Sequence, residues 1–243
     1  GAIGATGHAI NTDALEWLAI ASTTGDIHLG DIGSVSATDV QATLGSITLG
    51  AGADITLDTV IAAGDATVTA GGDILGDGTD ADTDVSGETI TLIAEGTIGA
   101  AAGANALGVD ASEAINADAD DAGIFIDATG AAGDLLLGIV DAGTGAVDID
   151  ATGVSITDAN NAAVNVVGAT LNVVSAEGIG TDTDAIETNT GTLTFVNTAG
   201  FVNIENTGPL TASGTNTTGT DVTIVTSSPL KVLAAGITAV GAI

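Results

Sequence analysis

The 243-residue chain has no cysteine, methionine or tyrosine, one tryptophan, three phenylalanines and two prolines. Its basic side chains come down to Lys231, with no arginine at all. Each shortage removes a class of protein. Without cysteine there are no disulfides and no thiolate metal sites. With one lysine against 32 acidic residues, no basic surface for nucleic acid or anionic lipid can form. Substrates bearing phosphate or carboxylate are nearly excluded too, because guanidinium and ammonium groups are their usual clamps. No apolar run is long enough to span a bilayer. The most apolar stretch, 232–243, is short and broken by Gly and Thr. The opening Gly1-Ala2-Ile3-Gly4 has no Met and no basic leader, so the chain reads as a mature fragment or an excised piece.

What remains is unusual in combination. Hydrophobic residues make up 45% of the chain and glycine supplies 36 positions, yet the formal charge is -31. Mean hydropathy is +0.51. The abundance of Ile, Val and Thr argues against disorder, which needs low hydrophobicity with high charge.

Helical periodicity is almost missing. Only Thr12 to Leu18, with Thr12 or Asp13 as N-cap, has the pattern for one turn of helix. Elsewhere four to six residues of Ile, Val, Leu and Thr alternate between Gly- and Asp-containing turns. Ile27-His28-Leu29, Ile47-Thr48-Leu49, Ile55-Thr56-Leu57 and Ile90-Thr91-Leu92 are examples. Strict alternation marks half-buried strands. Aromatics are too scarce to bridge the roughly 10 Å between two packed sheets. Small aliphatic residues instead suit the narrow interior of a solenoid, and Asn-Gly hairpin signals are lacking.

Internal repetition supports the solenoid. Three segments begin with an Ile-Gly pair, at Ile3, Ile98 and Ile179, that is 95 (3 to 98) and 81 (98 to 179) residues apart. Each continues in parallel: Ala9-Ile10 then Ile27-His28-Leu29; Ala106-Leu107 then Ile124-Phe125-Ile126; Ala185-Ile186 then Val202-Asn203-Ile204. The expectation is one continuous β-solenoid over 1–243 in three blocks, about 1–96, 97–177 and 178–243. At about 22 residues per rung it makes about 11 rungs and is on the order of 50 Å long. Pro209 and Pro229 are expected at corners, and both ends carry repeat-like sequence without clear caps.

The strings Ala63-Gly64-Asp65-Ala66-Thr67-Val68-Thr69-Ala70-Gly71-Gly72-Asp73-Ile74, Gly96-Thr97-Ile98-Gly99 with Ala106-Leu107-Gly108-Val109-Asp110, and Val202 to Gly208 carry a resemblance. They are similar to the repeats of filamentous-haemagglutinin-type adhesins, large exoproteins of Gram-negative bacteria. The resemblance implies a right-handed parallel β-helix, export by two-partner secretion, and a role in adhesion or surface architecture. It also makes 12–18 a strand with a loop, and it brings no catalytic residues.

Candidate sites are few. Asp77, Asp80, Asp82 and Asp84 lie close together in an expected loop and are weak calcium candidates, since calcium favours clustered carboxylate oxygens. Val85 and Thr91 stand where an EF-hand loop needs Gly and Glu, so the expected reading is a solvated acidic turn with loosely held calcium. Asp118, Asp120 and Asp121, and Asp182 with Asp184, are smaller versions. Neither His8 nor His28 sits in a metalloprotease motif, and His28 is expected to point outward from a rung. Phe125, Phe195 and Phe201 are expected in rung packing. The pairs Thr67/Thr69, Thr89/Thr91 and Thr192/Thr194 are read as ordinary strand residues rather than an ice-binding array.

No catalytic constellation, cofactor or nucleic-acid partner is expected, so the chain is read as no enzyme. The function expected is an extracellular or cell-surface β-solenoid of a Gram-negative-type bacterium. It is either a shaft segment of a large adhesin or a subunit stacking head to tail on itself. Its outside partner is a host-cell or biofilm surface. The alternative is a β-helical carbohydrate-active enzyme, either a polysaccharide lyase or a glycoside hydrolase.

Overall fold

The computed structural model describes residues 1–78, 83–100 and 106–243. It contains 21 strands and, among those residues, no helix. Every strand pairing is parallel, and all strands join one sheet coiled into a β-solenoid. No helix is long and apolar enough to cross a membrane.

Successive turns stack in parallel register, with shifts between Gly87 and Thr89, Ile115 and Ala117, and Ala212 and Gly214. Val35, Ile55, Ile74, Ile98, Ile124, Val147, Leu171, Leu193, Ala212 and Val232 form one column, so a turn takes between 19 and 26 residues. The first nine members of that column are at most 4% exposed. The interior is therefore a stack of aliphatic side chains, each shielded by those one turn before and after. Fully burying one such side chain contributes about 1.5–3 kcal/mol.

The corners are legible in the burial pattern. In Val35–Ala42 and Ile55–Ala62 buried residues alternate with half-buried or, at Ile61, exposed ones, except at Thr38-Asp39 and Asp58-Thr59, where two outward residues follow one another. Strict alternation resumes after each pair, so the chain has bent there without a loop. Together with the turns before Ile27 and after Asp31, this gives each early turn three short faces.

Of the two readings of 12–18 the strand with a loop holds and the helical turn does not, and a second expectation is revised. The strand Ile10–Thr12 pairs with Leu29–Asp31 and Glu16–Trp17 pairs with Ser36-Ala37. Leu15 and Leu18, which would have made the helix amphipathic, are 90% and 62% exposed, while Trp17 is 3% exposed inside the first turn. The phenylalanines also divide. Only Phe195 is interior, at 0% exposure, and its ring fits because its neighbour one turn on is Gly214. Phe125 and Phe201 are half-buried instead. Pro209 and Pro229 each stand immediately before a strand, at a corner.

Candidate functional site

The three Ile-Gly pairs take equivalent places. Each isoleucine makes a single parallel bridge to the next turn: Ile3 to Ile27, Ile98 to Ile124, Ile179 to Val202. Each glycine then turns left-handed, with φ of 72°, 67° and 69°. A side chain on Gly4 would strike the His28 carbonyl oxygen at 2.5 Å, and Gly99 and Gly180 would meet those of Phe125 and Asn203. The chain then leaves the face and rejoins it at Ile10, Leu107 and Ile186, which pair with Leu29, Ile126 and Ile204. One rung position is thus replaced by an excursion in the first and third repeats, while 101–105 of the second lie outside the described residues. The outward residue opposite each gap is His28, Phe125 or Asn203. In the first and third excursions a small backbone hairpin closes, Ala5 to His8 and Thr181 to Asp184.

These three positions differ in what lies over them. His28 is directed outward, between inward Ile27 and Leu29, yet it is only 8% exposed; the sequence does not show this cover. Asn203 donates from Nδ2 to the Thr181 carbonyl at 2.8 Å and so ties down its own hairpin. Phe125 lies against a cavity of about 330 Å³, whose lining includes Asp127, Asp148, Asp150 and Asn172.

Of the calcium candidates, Asp80 and Asp82 lie outside the described residues. Asp77 is half-buried. Asp84 is 5% exposed, and its Oδ2 accepts the Gly108 amide of the next turn at 2.7 Å. Among the described residues no group of three or more His, Asp or Glu side chains is placed to hold a metal. The threonine pairs do not build an extended array either. Thr48, Thr67 and Thr91 stack in one column, but His28 precedes them and Asn116 follows.

The acids do a job that the sequence alone does not reveal. Asp26 Oδ1 accepts the Ser46 amide at 3.0 Å, the Ser46 hydroxyl oxygen accepts the Asp65 amide at 3.1 Å, and Asp65 Oδ1 accepts the Thr89 amide at 3.2 Å. A second corner repeats the scheme. Ser34 Oγ accepts the Asp54 amide at 3.3 Å and Asp54 Oδ1 accepts the Asp73 amide at 3.0 Å. Asp73 Oδ1 then accepts both the amide (2.6 Å) and the hydroxyl (3.0 Å) of Thr97. Corner amides that have left the strand ladder are thereby satisfied from the turn before. Other aspartates accept the amide two residues on, as Asp127 does from Thr129 and Asp141 from Gly143, and fix the turn itself. The signal that could have found this role is the spacing of Asp26, Asp65 and Asp73 immediately before strands.

Two acids have distinctive environments. Asp31, 8% exposed, accepts from the Thr12 hydroxyl (2.6 Å) and the Ala14 amide (2.8 Å) on Oδ2, and from the Gly33 amide (2.9 Å) on Oδ1. The Thr12 hydroxyl bond first, then those amides, hold its carboxyl below the usual range. Trp17 Nε1 donates to Thr12 Oγ1 at 3.1 Å, so one network locks the first two turns together. Glu187 is the opposite case. Burial foremost, and then the charges of Asp158, Asp184 and Glu205, push its carboxyl up. Glu205 is its register partner one turn on. Glu187 Oε2 is shielded from solvent and accepts no hydrogen bond.

Comparison with known proteins finds no matching family model, no similar curated protein and no matching solved structure.

Proposed function

We propose that the chain is a structural and adhesive β-solenoid working outside a Gram-negative-type bacterial cell. It serves as a shaft segment of a large surface adhesin or as a subunit stacking end to end. It acts by shape and surface rather than by chemistry on a substrate. One observation carries the reading: a single column continues turn after turn in parallel register from Val35 to Val232, interior as far as Ala212. Such stacking makes a stiff rod whose length grows with the number of turns. Aspartates at the corners, such as Asp26, Asp65 and Asp73, and on the outer strand faces, such as Asp148 and Asp150, give the rod a like-charged wall that resists sideways bundling. In the last turn Leu230, Val232 and Leu233 are 41%, 48% and 37% exposed. A further turn, of the same polypeptide or of a second copy, would cover them.

Electron microscopy of the purified protein tests the reading. Regular rods, lengthening in steps of about 50 Å if copies stack, are expected. Discrete particles that release reducing sugar from a polysaccharide would replace it with the enzymatic alternative. The intact mass of the native polypeptide separates a subunit near 23.0 kDa from a slice of something many times larger.

A further inference from the structure

Phe125 is an aromatic ring set on an outer face with space over it. Its neighbours Ile124 and Ile126 are 0% and 1% exposed and point inward, so Phe125 points out. The ring leans along its own strand over Gly123, where a Cβ would lie 2.6 Å from Cε2 and 2.7 Å from Cζ. A ring lying down on a sheet turns a flat apolar face to whatever lies above it. Above it is the cavity of about 330 Å³. Register sets Phe125 beside Asp148, Asp127 beside Asp150, and Asp148 beside Asn172, so three successive turns line it.

The polar lining is almost all acceptor. Asp127 Oδ1 takes the Thr129 amide (2.7 Å), and Asp150 Oδ1 takes the Thr152 amide (2.9 Å) and hydroxyl (2.6 Å). Asp148 Oδ1 takes Asn172 Nδ2 (2.5 Å). No donor among the described residues reaches the second oxygen of any of the three carboxylates. They are not placed as a metal cluster either.

We propose that this cavity binds a neutral saccharide. The C–H face of a pyranose lies on Phe125, and its hydroxyl groups donate to the free oxygens of Asp127, Asp148 and Asp150. The volume is at the small end of the range of roughly 300–1,000 Å³ for ligand pockets, which suits one or two sugar rings. Uronic acids and sulfated sugars are excluded, because three carboxylates repel them and no Arg or Lys lines the cavity. The equivalent place in the first repeat also opens on a cavity, of about 420 Å³, but its lining has His8 and His28 and no acidic side chain; in the third repeat the Asn203–Thr181 bond spans the place. The combination of a phenyl ring with three carboxylates therefore belongs to the middle repeat. Binding there is independent of the shaft role, which survives its failure.

The test is saturation-transfer NMR and calorimetry on the whole chain. The probes are neutral trisaccharides of glucose, galactose, mannose and N-acetylglucosamine, with trigalacturonate as the anionic control. At least one neutral trisaccharide is expected to bind at a single site and trigalacturonate is not. Phe125→Ala and Asp148→Asn should each weaken binding about tenfold. Phe125→Leu keeps apolar bulk without a flat ring, and it should weaken binding like Phe125→Ala. Asp182→Asn, on the exposed tip of another hairpin, should bind like the parent chain. The proposal is overturned if no neutral probe binds, if trigalacturonate binds equally well, or if correctly folded Phe125→Ala and Phe125→Leu both bind unchanged.

Discussion

Replacing Asp73 by alanine distinguishes a carboxylate that only solvates the rod from one that holds two turns together. Asp73 Oδ1 accepts the Thr97 amide at 2.6 Å and the Thr97 hydroxyl at 3.0 Å, both part-buried. Hydrogen bonds to a charged group contribute about 1.5–3 kcal/mol, and orphaning the Thr97 amide costs about 1–3 kcal/mol by itself. Against this, removing one charge from a chain of net charge -31 relieves repulsion, worth up to about 1 kcal/mol at an exposed site. The net expectation is a loss of about 1.5–3 kcal/mol. For a chain of this size each kcal/mol moves the midpoint by about 2–4 °C, so Tm should fall by about 3–12 °C in calorimetry or circular dichroism. Asp73→Asn keeps an acceptor oxygen and drops the charge, and it should stay within about 1 kcal/mol of the parent chain. Asp182→Ala, at an exposed tip, should stay within about 0.5 kcal/mol. If Asp73→Ala melts at or above the parent temperature, the corner aspartates are surface charge and nothing more.

Three further outcomes are expected. Glu187 has a folded-state pKa above its ordinary 4.5. Its contribution to stability is therefore fully present below that value and is lost as pH rises through the folded pKa. Glu187→Gln should raise Tm at pH 7 and make no difference near pH 3, and a variant less stable at pH 7 would contradict this. Phe195→Ala should cost about 3–5 kcal/mol by leaving an interior void, while Phe125→Ala, on the outer face, should cost far less; equal losses on thermal melting would contradict the assignment of faces. Calcium, or a pH approaching the isoelectric point of 4.1, should promote lateral association seen by light scattering. Indifference to both would mean that the acids do not keep rods apart.

The solenoid was legible in the sequence because its code is local. Ile27-His28-Leu29 and Ile55-Thr56-Leu57 alternate with period two, and each inward residue is buried as that parity requires. The same parity could have placed the phenylalanines, since Phe125 lies between two inward isoleucines while Phe195 falls in phase with Leu193. Trp17 was harder. Leu15, Trp17 and Leu18 imitate a helical stripe; the periodicity alone pointed to a helical turn, the family resemblance to a strand with a loop, and pairing with Ser36-Ala37 decides for the strand. The corner ladders were hidden for a related reason: an aspartate before a strand looks like a turn residue until the amide 19 to 24 residues on is brought beside it. The cavity over Phe125 was out of reach, because it is made by three turns that touch only after coiling.

The corner ladders also have a direction. At Asp26, Ser34, Asp54, Asp65 and Asp73 the acceptor belongs to the earlier turn and the amide to the later one. A completed turn at these corners thus presents its oxygens before the groups that will use them have arrived. The chain can be laid down like courses of brick, each finished course serving as the template for the next. At these five corners no earlier side-chain acceptor depends on its partner for its own place in the turn, although the strand ladder beside them also sends earlier amides to later carbonyls, as Ile27 does to Ser46.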